Sequence, residues 1–331
     1  MGVPIILEQI ADQLKLGTVK NRPERVMGGY MHRMYSLSTA SGVYAVKLLN
    51  PVIMARPDAP GNFERAERLE RVLQEHDIPI VPALEFDGRK MQVMDGQCYY
   101  LFPWVEGKAL DWREIEKKHC EIVGNLLARI HRIEQREVPF ERDEIDIDWA
   151  SYIRAAKRQE PELAERLEGA KEVLAAAQTE FNAACKNMPP VTCICDSDMD
   201  CKNVLWADGK PLVIDLECLD YGNPYWDMFQ LALSWSGSVL CHMDYERLAA
   251  FINSYQMSFG KIGVDLQSLY GIGFGWLEWL EYNVKRALMI ECADEEERGV
   301  GISEANAALD RIMYYHSVKD ELLQKISQIL V

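Results

Sequence analysis

Hydrophobic positions along this chain follow two different periods. In the first hundred or so residues, apolar and β-branched residues come in short runs. Segment 26–37 leads through Ser41 and Gly42 into the run 43–49, and these read as strands around a glycine pair, Gly28 and Gly29. Between 62 and 75 the period becomes helical, with Phe63, Ala66, Leu69 and Leu73 on one face. Asn62 is placed as the N-cap of that helix, and Asp77, Ile78 and Pro79 as its stop. From Trp112 onward helical spacing dominates, notably over 124–131 and over 273–286, where Trp276, Trp279, Leu280 and Asn283 line one face. Residues 293–298 read as an exposed turn and 302–331 as one or two amphipathic closing helices. One interruption breaks the helical part: the apolar runs 203–206 and 211–214 flank a hairpin signal at 207–210. The sequence has no internal repeat and no low-complexity segment. The pattern predicts a strand-rich N-terminal part with one clear helix and a larger, mainly helical remainder. The proline-containing stretch 102–107 separates them.

Composition narrows the class. With 331 residues, 48% of them hydrophobic, the chain can build one large core or two modest ones. The apolar stretch 228–241 is broken by Gln, Ser and Gly, so no membrane span is expected. The N-terminus carries neither a basic n-region nor a cleavage site and lacks Ser or Thr at position 6, which argues against secretion and against myristoylation. Nine cysteines without framework spacing fit a reducing, cytoplasmic compartment. Cys193, Cys195, Cys201 and Cys218 gather in one stretch, yet neither a Cys-x-x-Cys nor a companion His pair accompanies them. Buried thiols are expected there rather than zinc. The net charge of −16 argues against nucleic acid as a partner and favours cationic ones.

The residues with most chemistry lie between 196 and 217. Asn203 follows Asp198 by five positions, and Asp215 follows the apolar run 211–214. Phosphotransferases use this spacing: the first Asp orients and deprotonates a hydroxyl, while the Asn and second Asp hold Mg²⁺ against nucleotide phosphates. Upstream, the glycine pair Gly28 and Gly29 lets the backbone approach phosphate oxygens. Lys47, embedded in an apolar strand, has no reason to be buried unless its charge is used. A phosphate-clamping lysine needs an acid from the next helix; Glu67, bordering the apolar stripe, is the choice, with Glu64 and Glu70 as neighbours. Glu217 is expected on the same strand face as Asp215, assisting a second metal.

Together these pieces resemble the aminoglycoside phosphotransferase and choline kinase group of small-molecule kinases, which share the protein-kinase-like fold. The resemblance covers roughly residues 20–230 and also includes Ile78 with Pro79, 100–107, 124–131, and 222–227 ending at Asp227. It implies an α+β, two-lobed protein-kinase-like fold: a small antiparallel-sheet N-lobe (1–102) for nucleotide, an interlobe connector (103–107) and a larger, mainly helical C-lobe (108–331). The implied activity is Mg²⁺-dependent transfer of the γ-phosphate of ATP or GTP to a hydroxyl of a small molecule, with no nucleic-acid or membrane partner. Adenine would meet the Pro103 carbonyl and the Val105 amide, with Phe102 as gatekeeper. Asp198 would be the base, Asn203, Asp215 and Glu217 the metal ligands, and Lys47, held by Glu67, the phosphate clamp beside Gly28 and Gly29. Asp227 would brace the catalytic loop.

Two positions depart from the group. Asp196 stands where it usually has His, two residues before the base, and brings a like charge that would raise the pKa of Asp198. Asn223 replaces an Asp in the Gly-Asp-Pro that ordinarily follows. The first departure is the support for an alternative reading, a catalytically silent nucleotide-binding or structural protein on the same fold. For the acceptor, the acidic balance, Asp196 and Asp200, and a cage of Trp279 with Glu278 or Glu281 around an ammonium point to an amine-bearing molecule, aminoglycoside-like or choline-like. The acidic run 143–148 reads as a solvated loop.

Overall fold

The alternating burial of one strand organises the N-terminal unit. In the computed structural model, which describes residues 3–26, 31–139 and 141–330, five strands form an antiparallel sheet. They are β1 (Glu24–Val26), β2 (Arg33–Thr39), β3 (Gly42–Leu48), β4 (Gln92–Met94) and β5 (Gln97–Pro103), in the order β1-β2-β3-β5-β4. Val46 and Leu48 of β3, with Tyr99 and Leu101 of β5, pack on one face against Leu7 and Ile10 of helix α1 (Val3–Gln13). Side chains alternate along a strand, so Lys47 faces the opposite way, and in register it lies opposite Met34 and Tyr100. That second face is covered through Phe63 and Ala59 of α3 (Ala59–Glu75), which follows the short α2 (Pro51–Met54). Neither α1 nor α2 was expected from the sequence pattern. Helix α3 also starts earlier than its pattern implied: Asp58 takes the N-cap position, and Asn62, inside the helix, donates back to the Asp58 carboxylate. Gly28 and Gly29 lie outside the described residues.

The unit is completed from far along the chain. Strand β6 (Lys108–Ala109) pairs with β8 (Val204–Ala207), which forms the expected hairpin with β9 (Lys210–Val213). Asp208 and Gly209 turn it, both with positive φ as a two-residue hairpin loop requires. Val213 bridges to Ile80, and a 3₁₀ turn at Leu216–Cys218 packs on α3. Two units therefore emerge, Met1–Ala109 with Lys202–Cys218, and Leu110–Cys201 with Leu219–Val331. The division expected from the sequence ran at 102 and 108; strand pairing and packing on α3 group residues 202–218 with the N-terminal sheet unit.

The second unit is mainly helical. It holds β7 (Cys193–Asp196) paired antiparallel with β10 (Leu219–Gly222), and helices α4 (Lys117–His131), α5 (Trp149–Gln159), α6 (Pro161–Lys186) and α7 (Pro224–Trp235). These are followed by α8 (Tyr245–Phe259), α9 (Leu266–Ile272), α10 (Trp276–Ala287), α11 (Glu295–Ser317) and α12 (Lys319–Ile329). The stretch read as an exposed turn at 293–298 is instead the capped start of α11, with the Asp294 side chain accepting from the Glu297 amide. Asn223 caps α7 through its Oδ1, and its Nδ2 donates to the Pro189 and Val191 carbonyls. An Asp there would lack those donors, which accounts for the departure from Gly-Asp-Pro. Among the described residues no helix is long and apolar enough to cross a membrane.

Helices α4 and α8 pack closely at Gly124, where a Cβ would stand 2.5 Å from the Phe251 carbonyl oxygen. Gly124→Ala would ordinarily stabilise a helix by about 1 kcal/mol, but forcing backbones apart in a packed interior costs about 1–3 kcal/mol. We expect a net loss of stability, read as a lower urea midpoint with an unchanged slope.

Candidate active site

A buried lysine between two carboxylates lies at the centre of the first unit. Lys47 is 4% exposed, and its Nζ donates to Asp215 and to Oε2 of Glu217. Burial lowers the ammonium's pKa, but the two negative charges outweigh it, and the net shift is upward. Burial likewise works to raise Glu217, yet the Lys47 charge and a hydrogen bond from His32 hold its carboxyl down to about 2. Asp215 and Glu217 were expected on one strand face. The chain instead leaves β9, passes through Asp215 at φ 62° and enters the 3₁₀ turn, and this geometry directs both carboxylates at one nitrogen. A non-glycine residue in the left-handed region is a costly conformation that surrounding structure must enforce.

Glu67 is not the acid that holds Lys47. Its Oε1 accepts from the Tyr100 hydroxyl (2.8 Å) and the Met91 amide (3.2 Å). Glu70, one turn further on and buried, accepts from the Ala83 amide (3.1 Å) and pairs with the buried Lys90. Burial pushes the Glu70 carboxyl up despite that partner. The lysine and both helix acids line one small cavity with Phe63, Tyr100, Phe102, Asp215 and Glu217. Glu67 thus faces the lysine's cavity while bound to other donors. Phe102 and Pro103 close β5, in register with Ala45 and Tyr44, and Val105 follows in the segment between β5 and β6, which has no regular structure. Asn203 is buried, and its carbonyl accepts from the Ile214 amide, which ties the two ends of the hairpin together.

His32 was missed by sequence reasoning. It is 6% exposed, accepts the Asn50 amide at Nδ1 (2.9 Å) and lies with Nε2 3.1 Å from Glu217 Oε1. A histidine three residues after a glycine pair carries no motif of its own, so only the fold reveals its contact.

In the second unit, β7 leads into the loop that carries Asp198. Asp196 is buried at the strand end, and its amide donates to Asp227 Oδ2 (3.0 Å). The same oxygen lies 3.0 Å from His131 Nε2, and the other ring nitrogen lies 2.9 Å from the Tyr255 hydroxyl. Asp227 therefore fixes the backbone at the start of the loop, while His131 and Tyr255 fix Asp227. The Trp235 indole donates to the Met199 carbonyl (2.9 Å), and Ser234 donates to the Asp200 carboxylate. Asp198 is half-buried.

The side chains of the expected ammonium cage already have internal partners. Glu278 pairs with Arg142, whose guanidinium lies 3.9 Å from the Trp226 ring centre. Glu281 accepts from Tyr152 (2.7 Å) and pairs with Lys285 (3.1 Å). Trp279 donates to Glu304, and Arg311 lies over Trp276. The ammonium cage of Trp279 with Glu278 or Glu281 is thus filled from within the unit. In the acidic run, Asp143, Glu144, Asp146 and Asp148 are exposed on a loop, as read from the sequence, while Ile145 and Ile147 between them are buried and Asp148 caps α5. All nine cysteines are free, and of the four near the site Cys218 is exposed. His131, Cys193 and Cys195 lie close enough together to suggest a soft-metal site, but both imidazole nitrogens are engaged and burial keeps the Cys195 thiol protonated.

The antiparallel sheet with its buried lysine, followed by a mainly helical unit, defines an α+β, protein-kinase-like fold. The chain belongs to the phosphotransferase enzyme family, whose sequence profile matches residues 23–258. The serine/threonine protein kinase RdoA of Salmonella typhimurium is 28% identical over 183 residues, 51% of this chain and 54% of that protein. The chain thus spans about half the length of the curated relatives it matches. A spectinomycin phosphotransferase, solved in complex with ADP and spectinomycin, has a TM-score of 0.68 at 14% identity over 93% of this chain and 98% of its own. A choline kinase from Cryptosporidium parvum has a TM-score of 0.56 at 13% identity over 99% and 98%.

Burial opposes an imidazolium at His131, and the neighbouring Cys195 and Asp227 more than offset it. The net direction of the shift is upward. A raised folded pKa contributes stability that is fully present below the ordinary value of about 6.5 and is lost as pH rises through the folded value. We expect the denaturation midpoint to fall between about pH 6 and about pH 9 in the native chain, with a flatter profile for Asp227→Asn, which keeps an acceptor but no charge.

Proposed function

We propose that this chain transfers the γ-phosphate of ATP or GTP to a hydroxyl of a small, amine-bearing molecule. The observation that carries the reading is the convergence of Asp215 and Glu217 on the buried ammonium of Lys47. Burying these charges together is costly, and a charged ligand that uses them would account for the cost. The oxygen donors of Asn203, Asp215 and Glu217 suit a hard cation, so these residues fit Mg²⁺. Bound there, Mg²⁺ would neutralise charge developing on the transferred phosphoryl group. Lys47 would leave its carboxylates for the nucleotide phosphates, Gly28 and Gly29 would bring backbone amides to them, and Pro103 and Val105 would present adenine-binding groups beside Phe102. Glu67, within the same cavity, is available to take the lysine in the loaded state. Asp198 would accept the acceptor's proton from a loop braced by Asp227.

The acceptor's positive charge rests on the net charge of −16 and on the small-molecule neighbours, choline being a quaternary ammonium alcohol. It does not rest on the Trp279 cage. Free thiols agree with a reducing, cytoplasmic setting. The catalytically silent alternative draws on Asp196 alone, and that residue's amide still makes the bracing contact to Asp227.

Nucleotide turnover should be measured against panels of amino sugars, amino alcohols, neutral sugars and Ser/Thr peptides. We expect Asp198→Asn to lower turnover by roughly 10²–10⁴-fold with nucleotide affinity retained, and Lys47→Met to weaken nucleotide binding itself. Turnover supported only by neutral or anionic acceptors would remove the amine; turnover unaffected by Asp198→Asn would remove the assigned base. Absence of any Mg²⁺-dependent stabilisation by ATP or GTP favours the silent protein.

A further inference from the structure

We infer that His32 is a positioning residue for the metal-binding carboxylate of Glu217, an inference that rests on the assignment of Asp215 and Glu217 to Mg²⁺. Its two ring nitrogens have distinct partners. Nδ1 accepts from the Asn50 backbone amide at 2.9 Å, so it carries no hydrogen in the neutral ring. The proton is then on Nε2, which donates to Glu217 Oε1 at 3.1 Å. Asn50 is itself fixed, since its side chain caps α2 by accepting from the Val52 amide. The Phe63 ring of α3 lies alongside, 6.3 Å between ring centres. His32 is therefore held from one side and holds Glu217 on the other.

The consequence follows from how the two Glu217 oxygens are divided. Oε2 is on Lys47 and Oε1 is on His32. When the lysine turns to a phosphate, Oε2 is released and becomes available to a cation. The His32 contact does not involve the lysine, so it persists and keeps the carboxylate from following the lysine or swinging free. Partners of this kind, bonded to a ligand rather than to the ion, typically carry roughly 10–100-fold in metal affinity.

Two substitutions separate the ring's two contacts. His32→Asn can accept from the Asn50 amide but is too short to reach Glu217, whereas His32→Gln carries an amide N–H where Nε2 stood. The readout is the Mg²⁺ concentration giving half-maximal binding of AMP-PNP by calorimetry, with metal-free AMP-PNP binding as the reference. We expect His32→Asn to raise that concentration by roughly 10–100-fold while metal-free binding is unchanged, and His32→Gln to recover most of the loss. A native Mg²⁺ requirement in His32→Asn, or equal impairment in both variants, overturns the inference. The native protein offers a second measurement that does not depend on variants folding. Nitrogen-15 spectra of the His32 ring should report the Nε2–H tautomer before and after addition of Mg²⁺ and AMP-PNP, and a change to Nδ1–H overturns the inference. Asp215→Ala separates the two levels of the argument: if it leaves Mg²⁺-dependent binding intact, the metal assignment falls, whereas if it abolishes that binding and His32→Asn does not alter it, only the role of His32 falls.

Discussion

An ammonium removed from water needs negative charge beside it, and most of the first unit's architecture provides that for Lys47. Desolvating such an ion costs several kcal/mol even after relaxation, and only close, well-satisfied partners offset this. The partners come from a chain segment about 170 residues away, and they reach the lysine because the β8–β9 hairpin is fixed to β6 and to Ile80. Asp215 accepts a left-handed backbone in the process. The register of β3 is constrained in turn: a slip of one residue would place Lys47 among the Leu7 and Ile10 cluster and Val46 in the acidic cavity.

A structure in which the lysine rests on the prospective metal ligands has a thermodynamic implication. On the proposed reading, nucleotide and cation would compete with an existing ion-pair network, and part of their binding energy would go into replacing it. Asp215, held by Lys47, shares one small cavity with three further carboxylates, those of Glu67, Glu70 and Glu217, and none of them is left bare. Glu67 uses Tyr100 and the Met91 amide, Glu70 uses Lys90, and Glu217 uses Lys47 and His32. Each acid thus has its own donor, and the choice of acid for the lysine is a matter of which donors the loaded state displaces.

Much of this was legible in the sequence, and the parts that were not share a cause. The apolar strand around Lys47, the hairpin at 203–214 and the helix bearing Phe63 and Leu69 all follow from local periodicity, which the fold preserves. Pairings among charged groups were not legible. Helical spacing placed Glu67 and Glu70 on the inner border of α3, but which donor each meets depends on β5 and the 83–91 segment. His32 illustrates the limit most clearly, because its role is defined by an amide at position 50 and a carboxylate at position 217, neither predictable from its neighbours. Helix α1 escaped notice because its apolar face only makes sense against the sheet it covers.

The acceptor is the least determined part of the chemistry, and the second unit shows why a net charge of −16 does not by itself identify it. Carboxylates that looked available for a cation are engaged by internal cations and donors: Glu278 by Arg142, Glu281 by Lys285, Asp200 by Ser234. Arg142 even makes the contact with Trp226 and Glu278 that a ligand ammonium would make. A cation–π contact of this kind is worth about 0.5–2 kcal/mol depending on desolvation, so a ligand ammonium would have to offer more than the guanidinium already does. Surface acidity therefore raises the local concentration of cations without specifying a pocket, and selectivity for one acceptor must come from groups that have no partner within the chain.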